Sequence, residues 1–158
     1  MKTLIVYYSY TGNTKKIANA IKNHLNCDIL EVTPKIPFSD NYDEVVAEYQ
    51  NNSIEDKSIE INDIGIDLKE YDKIIIGSPV WWYTICPVIT SFLKNYDLSG
   101  KKIYPFATNA GWLGKTFKDI EKLCPNSEVE KGMNIVFESY TDNLVTSKQE
   151  IDKWIKEI

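Results

Sequence analysis

Two hydrophobic rhythms alternate along the chain. Residues 3–8 read Thr-Leu-Ile-Val-Tyr-Tyr, a continuous apolar run of the kind that forms a strand buried on both faces. Ile17, Ala20, Ile21 and Leu25 then recur at helical spacing over residues 15–25. Residues 28–32 predict a second strand, followed by a loop holding Pro34 and Pro37. Tyr42, Val45, Val46 and Tyr49 form a second helical stripe, ending in a polar stretch from Gln50 to Ser53. Residues 73–77 supply a third strand that stops at Ser78-Pro79. Ile85, Val88, Ile89, Phe92, Leu93 and Tyr96 repeat at helical spacing, with Pro87 tolerated in the first turn. After the break at Asp97 to Gly100, residues 101–107 predict a fourth strand. Phe117, Ile120 and Leu123 mark a helix that ends before Pro125, and residues 133–137 a fifth strand. Ser147-x-x-Glu150 reads as a capping box for a last helix whose Ile151, Trp154, Ile155 and Ile158 face inward.

Strand and helix in strict alternation imply an α/β fold, an open parallel sheet covered by helices on both faces. No linker, repeat or low-complexity segment interrupts it, so residues 1–158 read as one domain. Five strands suit either the order 2-1-3-4-5 or a truncated dinucleotide-binding sheet. In both, ligands bind beyond the carboxyl ends of the strands, so the loops after the first, third and fourth strands should converge.

Those loops carry the candidate chemistry. The first runs from Ser9 to Thr14 and opens a helix whose leading amides have no intrahelical partner and point outward with partial positive charge. Ser9, Thr11 and Thr14 add hydroxyls, and Gly12 lets the backbone turn close to a bound group. This is an anion site without a basic residue of its own. The second loop, residues 78–84, sets Trp81, Trp82 and Tyr83 in a row directly after a buried strand. They either stack on a planar ligand or plug the end of the sheet. The third, residues 108–114, offers Gly111, Gly114 and Trp112, with backbone amides that could meet the edge of a polar ring.

Composition removes several competing chemistries. All 18 basic residues are lysines, so bidentate guanidinium recognition of phosphate is impossible, which disfavours phosphatases and arginine-finger enzymes. The single histidine, His24, sits among Lys22, Asn23 and Asn26 on a helix surface, leaving no His-based triad or metal cluster. Cys27, Cys86 and Cys124 lack paired spacing and read as reduced thiols of a cytoplasmic protein, with no metal site. Net charge is −5, and Glu55, Asp56, Glu60, Asp63, Asp67, Glu70 and Asp72 face only Lys57 and Lys69 within residues 55–72. Nucleic-acid binding is therefore not expected, and the acidic stretch is either solvated surface or a face that steers basic protein partners. No apolar run reaches membrane-spanning length, and the chain starts directly into a strand without a signal-peptide pattern.

One motif misleads. Gly114-Lys115-Thr116 looks like the end of a P-loop, but the first glycine of that motif would fall at Asn109, and after the wrong strand. No G-x-G-x-x-G follows Tyr8 either, so the nicotinamide fingerprint is missing.

Ser9-x-Thr-Gly-Asn-Thr14 resembles the FMN-phosphate loop of flavodoxins. The run Gly-Ser-Pro-Val-Trp-Trp-Tyr ending at Tyr83 is similar to the aromatic flavin loop of the family's short-chain bacterial members. Thr108-x-x-Gly111 resembles their third flavin loop, and the likeness spans essentially the whole chain. It implies a flavodoxin-like five-stranded parallel sheet of order 2-1-3-4-5 and a noncovalently bound FMN that shuttles single electrons. On that likeness Ser9, Tyr10, Thr11, Gly12, Asn13 and Thr14 hold the phosphate. Pro79, Val80, Trp81, Trp82 and Tyr83 line and stack on the ring. Thr108, Asn109, Ala110, Gly111 and Trp112 close its other side and meet the pyrimidine edge. In many relatives a glycine in the second loop allows a peptide flip on reduction. None lies between Ser78 and Pro87, so the flip should be harder and the one-electron-reduced state less stabilised.

The expected role is that of a monomeric carrier of low-potential electrons, docking transiently through an acidic face on redox partner proteins. It has no catalytic residues and no membrane insertion. Two alternatives stay open: an FMN-dependent NAD(P)H:quinone-type reductase using the same loops, and a non-flavin signalling or interaction module on the same fold. The last lacks the acidic cluster that a receiver domain needs after its first strand, where this chain has Tyr7-Tyr8-Ser9.

Overall fold

The opening apolar run becomes β1 (Thr3–Tyr7), whose Leu4, Ile5 and Val6 are fully buried because helices cover both faces of the sheet. In this computed structural model, which describes residues 2–49 and 59–158, β1 pairs in parallel with β2 (Asp28–Glu31) on one side and β3 (Lys73–Trp81) on the other. Next to β3 lies β5 (Lys102–Asn109), also parallel, with Lys73 opposite Lys102 and Pro79 opposite Thr108. The sheet order β2-β1-β3-β5 continues into β6 (Glu128–Val129) and β7 (Met133–Val136), both parallel to β5. Main-strand order is therefore 2-1-3-4-5, as expected, with the fifth strand broken at residues 130–132.

Among the described residues the five main strands appear as seven segments. Besides the split edge strand, β3 runs on past Gly77 and turns back through a tight hairpin into β4 (Thr84–Ile85). β3 and β5 touch closely where Gly77 faces Phe106: a methyl group on Gly77 would lie within 2.6 Å of the ring.

The helices α1 (Asn13–Leu25), α2 (Tyr42–Tyr49), α3 (Pro87–Asn95), α4 (Thr116–Leu123) and α5 (Lys148–Ile155) form the two outer layers. In α1 the buried stripe is Ile17, Ala18 and Ile21, with Ala20 outside. Pro87 sits at the start of α3, and the Ser147 hydroxyl accepts from the Glu150 amide at the start of α5. Ile151, Trp154 and Ile155 of α5 are buried against Phe106 and Ile135. Val45 of α2 is buried, but Tyr42 is not the core residue its spacing suggested and stands 54% exposed. The polar stretch from Gln50 to Ser53, together with Glu55, Asp56 and Lys57, lies outside the described residues. No helix among the described residues is long and apolar enough to cross a membrane.

Candidate functional site

β1 delivers its carboxyl end into the first loop, and Gly12, at φ 108, caps α1 in a conformation open to glycine alone without strain. Ser9 Oγ sits inside this loop and accepts from the amides of Gly12 at 3.1 Å and Lys15 at 3.2 Å. Ser9 thus braces the loop from behind. The amides of Asn13 and Thr14, the first two of α1, donate to no group among the described residues. Thr14 Oγ1, expected to face an anion, instead lies 2.7 Å from Thr108 Oγ1 with both residues buried. This hydroxyl pair ties the first loop to the third. The Tyr10 hydroxyl donates to the Ser39 carbonyl at 2.5 Å. Burial, and then the carboxylates of Asp40 and Glu44, push its pKa up, so it stays a neutral donor.

The second loop is a two-residue hairpin turn. Val80 pairs with Ile85 and Trp81 with Thr84, leaving Trp82 at φ 49 and Tyr83 at φ 66 as the turn itself. Two-residue hairpins favour positive φ at both central positions because that twist matches the strands, and Asn-Gly is the usual sequence. Here two aromatics take those angles against a penalty of about 1 kcal/mol or more each. The turn is braced from the third loop: the Lys115 amide donates to the Tyr83 carbonyl at 2.8 Å. Gly114, at φ 58, packs so closely that a methyl group there would lie 2.7 Å from the Tyr83 Cα. The residues that mimic a P-loop therefore support the hairpin. Below it, buried Thr84 donates to the carboxylate of buried Asp119 in the first turn of α4.

The three aromatics divide by depth. Trp81 is buried and meets Phe38, Tyr10 and Trp82 edge-on, with centroids 4.9, 5.7 and 6.1 Å apart, so it does plug the end of the sheet. Trp82 is half-buried, whereas Tyr83 at 57% and Trp112 at 59% stand exposed. In the third loop Asn109 Oδ1 accepts from the Gly111 amide at 2.8 Å, fixing that turn.

Together the loops enclose one cavity of about 940 Å³ at the carboxyl ends of β1, β3 and β5, within the size range of small-molecule and cofactor sites. Its lining combines the unpartnered end of α1 with the faces of Trp82 and Tyr83 and the loop after β5. Unpartnered amide-bearing residues of α1 and large aromatic side chains thus line the same cavity.

A sequence profile of the flavodoxin family matches residues 2–158. The chain belongs to the flavodoxin family. Solved structures agree. A flavoprotein of Lactobacillus acidophilus in complex with FMN is 27% identical, with 97% of each chain covered and a TM-score of 0.69. A candidate flavoprotein from Bacteroides eggerthii is 24% identical, covering 99% of this chain and 97% of that one, with a TM-score of 0.79. An archaeal flavodoxin is 18% identical, covering 99% and 92%, with a TM-score of 0.56, and shows the shared fold. No curated protein matches the sequence.

In this chain, Tyr10, Thr11, Asn13, Thr14, Pro79, Val80, Trp81, Trp82, Tyr83, Thr108, Asn109, Ala110 and Trp112 all line the cavity. Ser9, Gly12 and Gly111 stand behind it and shape the turns. Two walls escaped the sequence. One is Asp40, Tyr42, Val45 and Val46 at the start of α2, and the other is residues 137–142 after β7. Cys86 is wholly buried against Ser78, 3.4 Å from its hydroxyl, and does not line the cavity. Of the acidic stretch, Glu70 and Asp72 lie at the amino end of β3, the edge opposite the cavity, and engage Lys2. The negative charge beside the cavity comes instead from Asp40, Glu138 and Asp142.

Proposed function

We propose that this flavodoxin binds FMN noncovalently in the cavity and carries low-potential electrons between redox partner proteins. The observation that carries the reading is the convergence of three loops on one cavity, which brings the free amides at the start of α1 and exposed aromatic rings into one lining. That pairing suits a phosphate monoester joined to a flat ring, and the FMN complex of the Lactobacillus acidophilus relative supports it. When bound, FMN supplies the redox chemistry; the protein supplies binding, orientation and electrostatics.

The Asn13 and Thr14 amides and the Thr11 hydroxyl would hold the phosphate through dipoles and hydrogen bonds, since no lysine lies within residues 9–14. Trp82 and Tyr83 would cover one ring face and the loop from Thr108 to Trp112 the other. The Lys115–Tyr83 hydrogen bond holds the hairpin backbone still, which favours fixed geometry over a flip at Tyr83. Exposed Tyr83 and Trp112 leave part of the ring edge near the surface, and the carboxylates of Asp40, Glu138 and Asp142 beside it suit weak docking of basic partners.

An absorption spectrum recorded through stepwise anaerobic reduction tests this. The purified protein should be yellow and reduce without its own organic substrate. A colourless protein that takes up no added FMN overturns the reading. Rapid NADPH-driven turnover of a quinone moves the chain to the reductase class.

A further inference from the structure

Two walls of the cavity come from opposite edges of the sheet: α2 follows β2 in the chain, and residues 137–142 follow β7. They meet where the Tyr42 and Tyr140 rings pack edge-on, centroids 6.1 Å apart and planes at 86°. The two residues lie 98 positions apart in the chain. Both rings are open to solvent, Tyr42 at 54% and Tyr140 at 93%. Tyr83 is exposed too, but no tyrosine ring packs against it among the described residues. The hydroxyls of Tyr10 and Tyr71 are engaged, by the Ser39 carbonyl and the Asp28 carboxylate, and Tyr7, Tyr8 and Tyr104 are buried. Tyr42 and Tyr140 therefore make a pair of phenols that an oxidant in solution can reach together.

Their backbones are held, whereas their side chains are free to turn. The loop that carries Tyr140 is closed by Glu138 N donating to Asn143 O at 2.9 Å and Thr141 N to Glu138 O at 3.1 Å. It is also tied to α1, since Asn13 Nδ2 donates to the Thr141 carbonyl at 3.0 Å and Lys16 Nζ to the Asp142 carbonyl at 3.3 Å. Tyr42 stands in the first turn of α2. Exposed side chains change rotamer within picoseconds to nanoseconds. The two rings can thus swing until their edges meet side by side while the backbone on either side stays in place.

We propose that Tyr42 and Tyr140 form an oxidative cross-linking site, at which the two phenols join through a carbon–carbon bond between ring positions next to their hydroxyls. Each phenol gives up one electron and one proton. The electrons go to two equivalents of a one-electron oxidant, of the kind a peroxidase makes from hydrogen peroxide, and the protons go to the solvent that reaches both rings. The two radicals couple, the ring hydrogens at the new bond move to the phenol oxygens, and the chain has lost two hydrogen atoms in all. The link fixes the start of α2 to the loop after β7, so oxidation sets two walls of the cavity at one separation. Nothing in this chemistry depends on a bound flavin.

The test treats dilute full-length protein in the dark with a peroxidase and hydrogen peroxide, then separates monomer from higher species under denaturing conditions. The monomer should gain the blue fluorescence of a dityrosine and become two hydrogens lighter, and its digest should yield one peptide pair joining Tyr42 to Tyr140. Tyr42→Phe and Tyr140→Phe keep the ring contact and the fold, and each should abolish the monomer's fluorescence. Tyr96→Phe, at the end of α3, should give the wild-type yield. The linked monomer should melt about 5–15 °C above untreated protein, because a bond closing so long a loop restricts the unfolded chain. Dityrosine found only between molecules overturns the proposal, as does monomer fluorescence that survives in either Phe variant. A linked monomer that melts no higher than untreated protein overturns the fixing of the two walls.

Discussion

Gly114 and Gly65 offer a matched pair for measuring how firmly the aromatic hairpin is held. Both have left-handed backbones, at φ 58 and φ 64, so alanine meets a similar conformational penalty of about 1 kcal/mol at either site. They differ in surroundings. A methyl group on Gly65 meets nothing within 4 Å, whereas on Gly114 it would lie 2.7 Å from the Tyr83 Cα and closer still to its carbonyl oxygen. The backbone at Gly114→Ala must move, which adds about 1–3 kcal/mol. Movement also endangers the Lys115–Tyr83 hydrogen bond, worth about 1 kcal/mol. Gly65→Ala should therefore lose about 1 kcal/mol and Gly114→Ala about 3–5 kcal/mol. For a chain of this size each kcal/mol moves the midpoint by about 2–4 °C, giving falls of roughly 2–4 °C and roughly 6–20 °C. Thermal unfolding followed by circular dichroism measures both. FMN titration should find Gly65→Ala unchanged and Gly114→Ala about tenfold weaker, the effect of displacing Trp82 and Tyr83 by about 1.4 kcal/mol of lost contact. Equal shifts in the two variants would refute the brace.

Thr84→Val should lower stability by about 1–3 kcal/mol, because buried Asp119 loses its hydroxyl donor and keeps, among the described residues, Lys122 at 3.9 Å; Thr84→Ser should restore it, and a Val variant melting like wild type would exclude the role. The thiols should differ in reactivity. Burial pushes Cys86 and Cys124 up to about 11 and raises Cys27, so all three are protonated at pH 8, and only half-buried Cys27 should react slowly with a disulfide reagent before unfolding exposes all of them.

Much of this architecture can be read from the chain because buried parallel strands and amphipathic helices have different periods. The three loops could be placed for the same reason: each follows a strand whose end is unmistakable. The hairpin could not be foreseen. Trp82-Tyr83 is the reverse of an Asn-Gly turn signal, and the brace from Gly114 and Lys115 lies about thirty residues on. Tyr42 was misplaced because helical spacing with Val45 and Val46 mimics a core stripe, and spacing alone does not say where a helix overhangs its sheet. Residues 137–142 carry no motif, so nothing in their identity marks a cavity wall. Thr14 reads in the sequence as a hydroxyl donor and Thr108 as part of the third loop, but each is the other's hydrogen-bond partner, a pairing across 94 positions that no local pattern records.

A turn made of Trp82 and Tyr83 also bears on how this protein can change over time. Random substitution there meets two opposed pressures: the backbone favours asparagine or glycine, and the proposed stacking on a flavin favours large rings. Lineages that relax cofactor binding should drift toward the sturdier turn, whereas those that retain it must keep Gly114 as well. The hairpin and its glycine are thus bound to a common history although they lie on different loops.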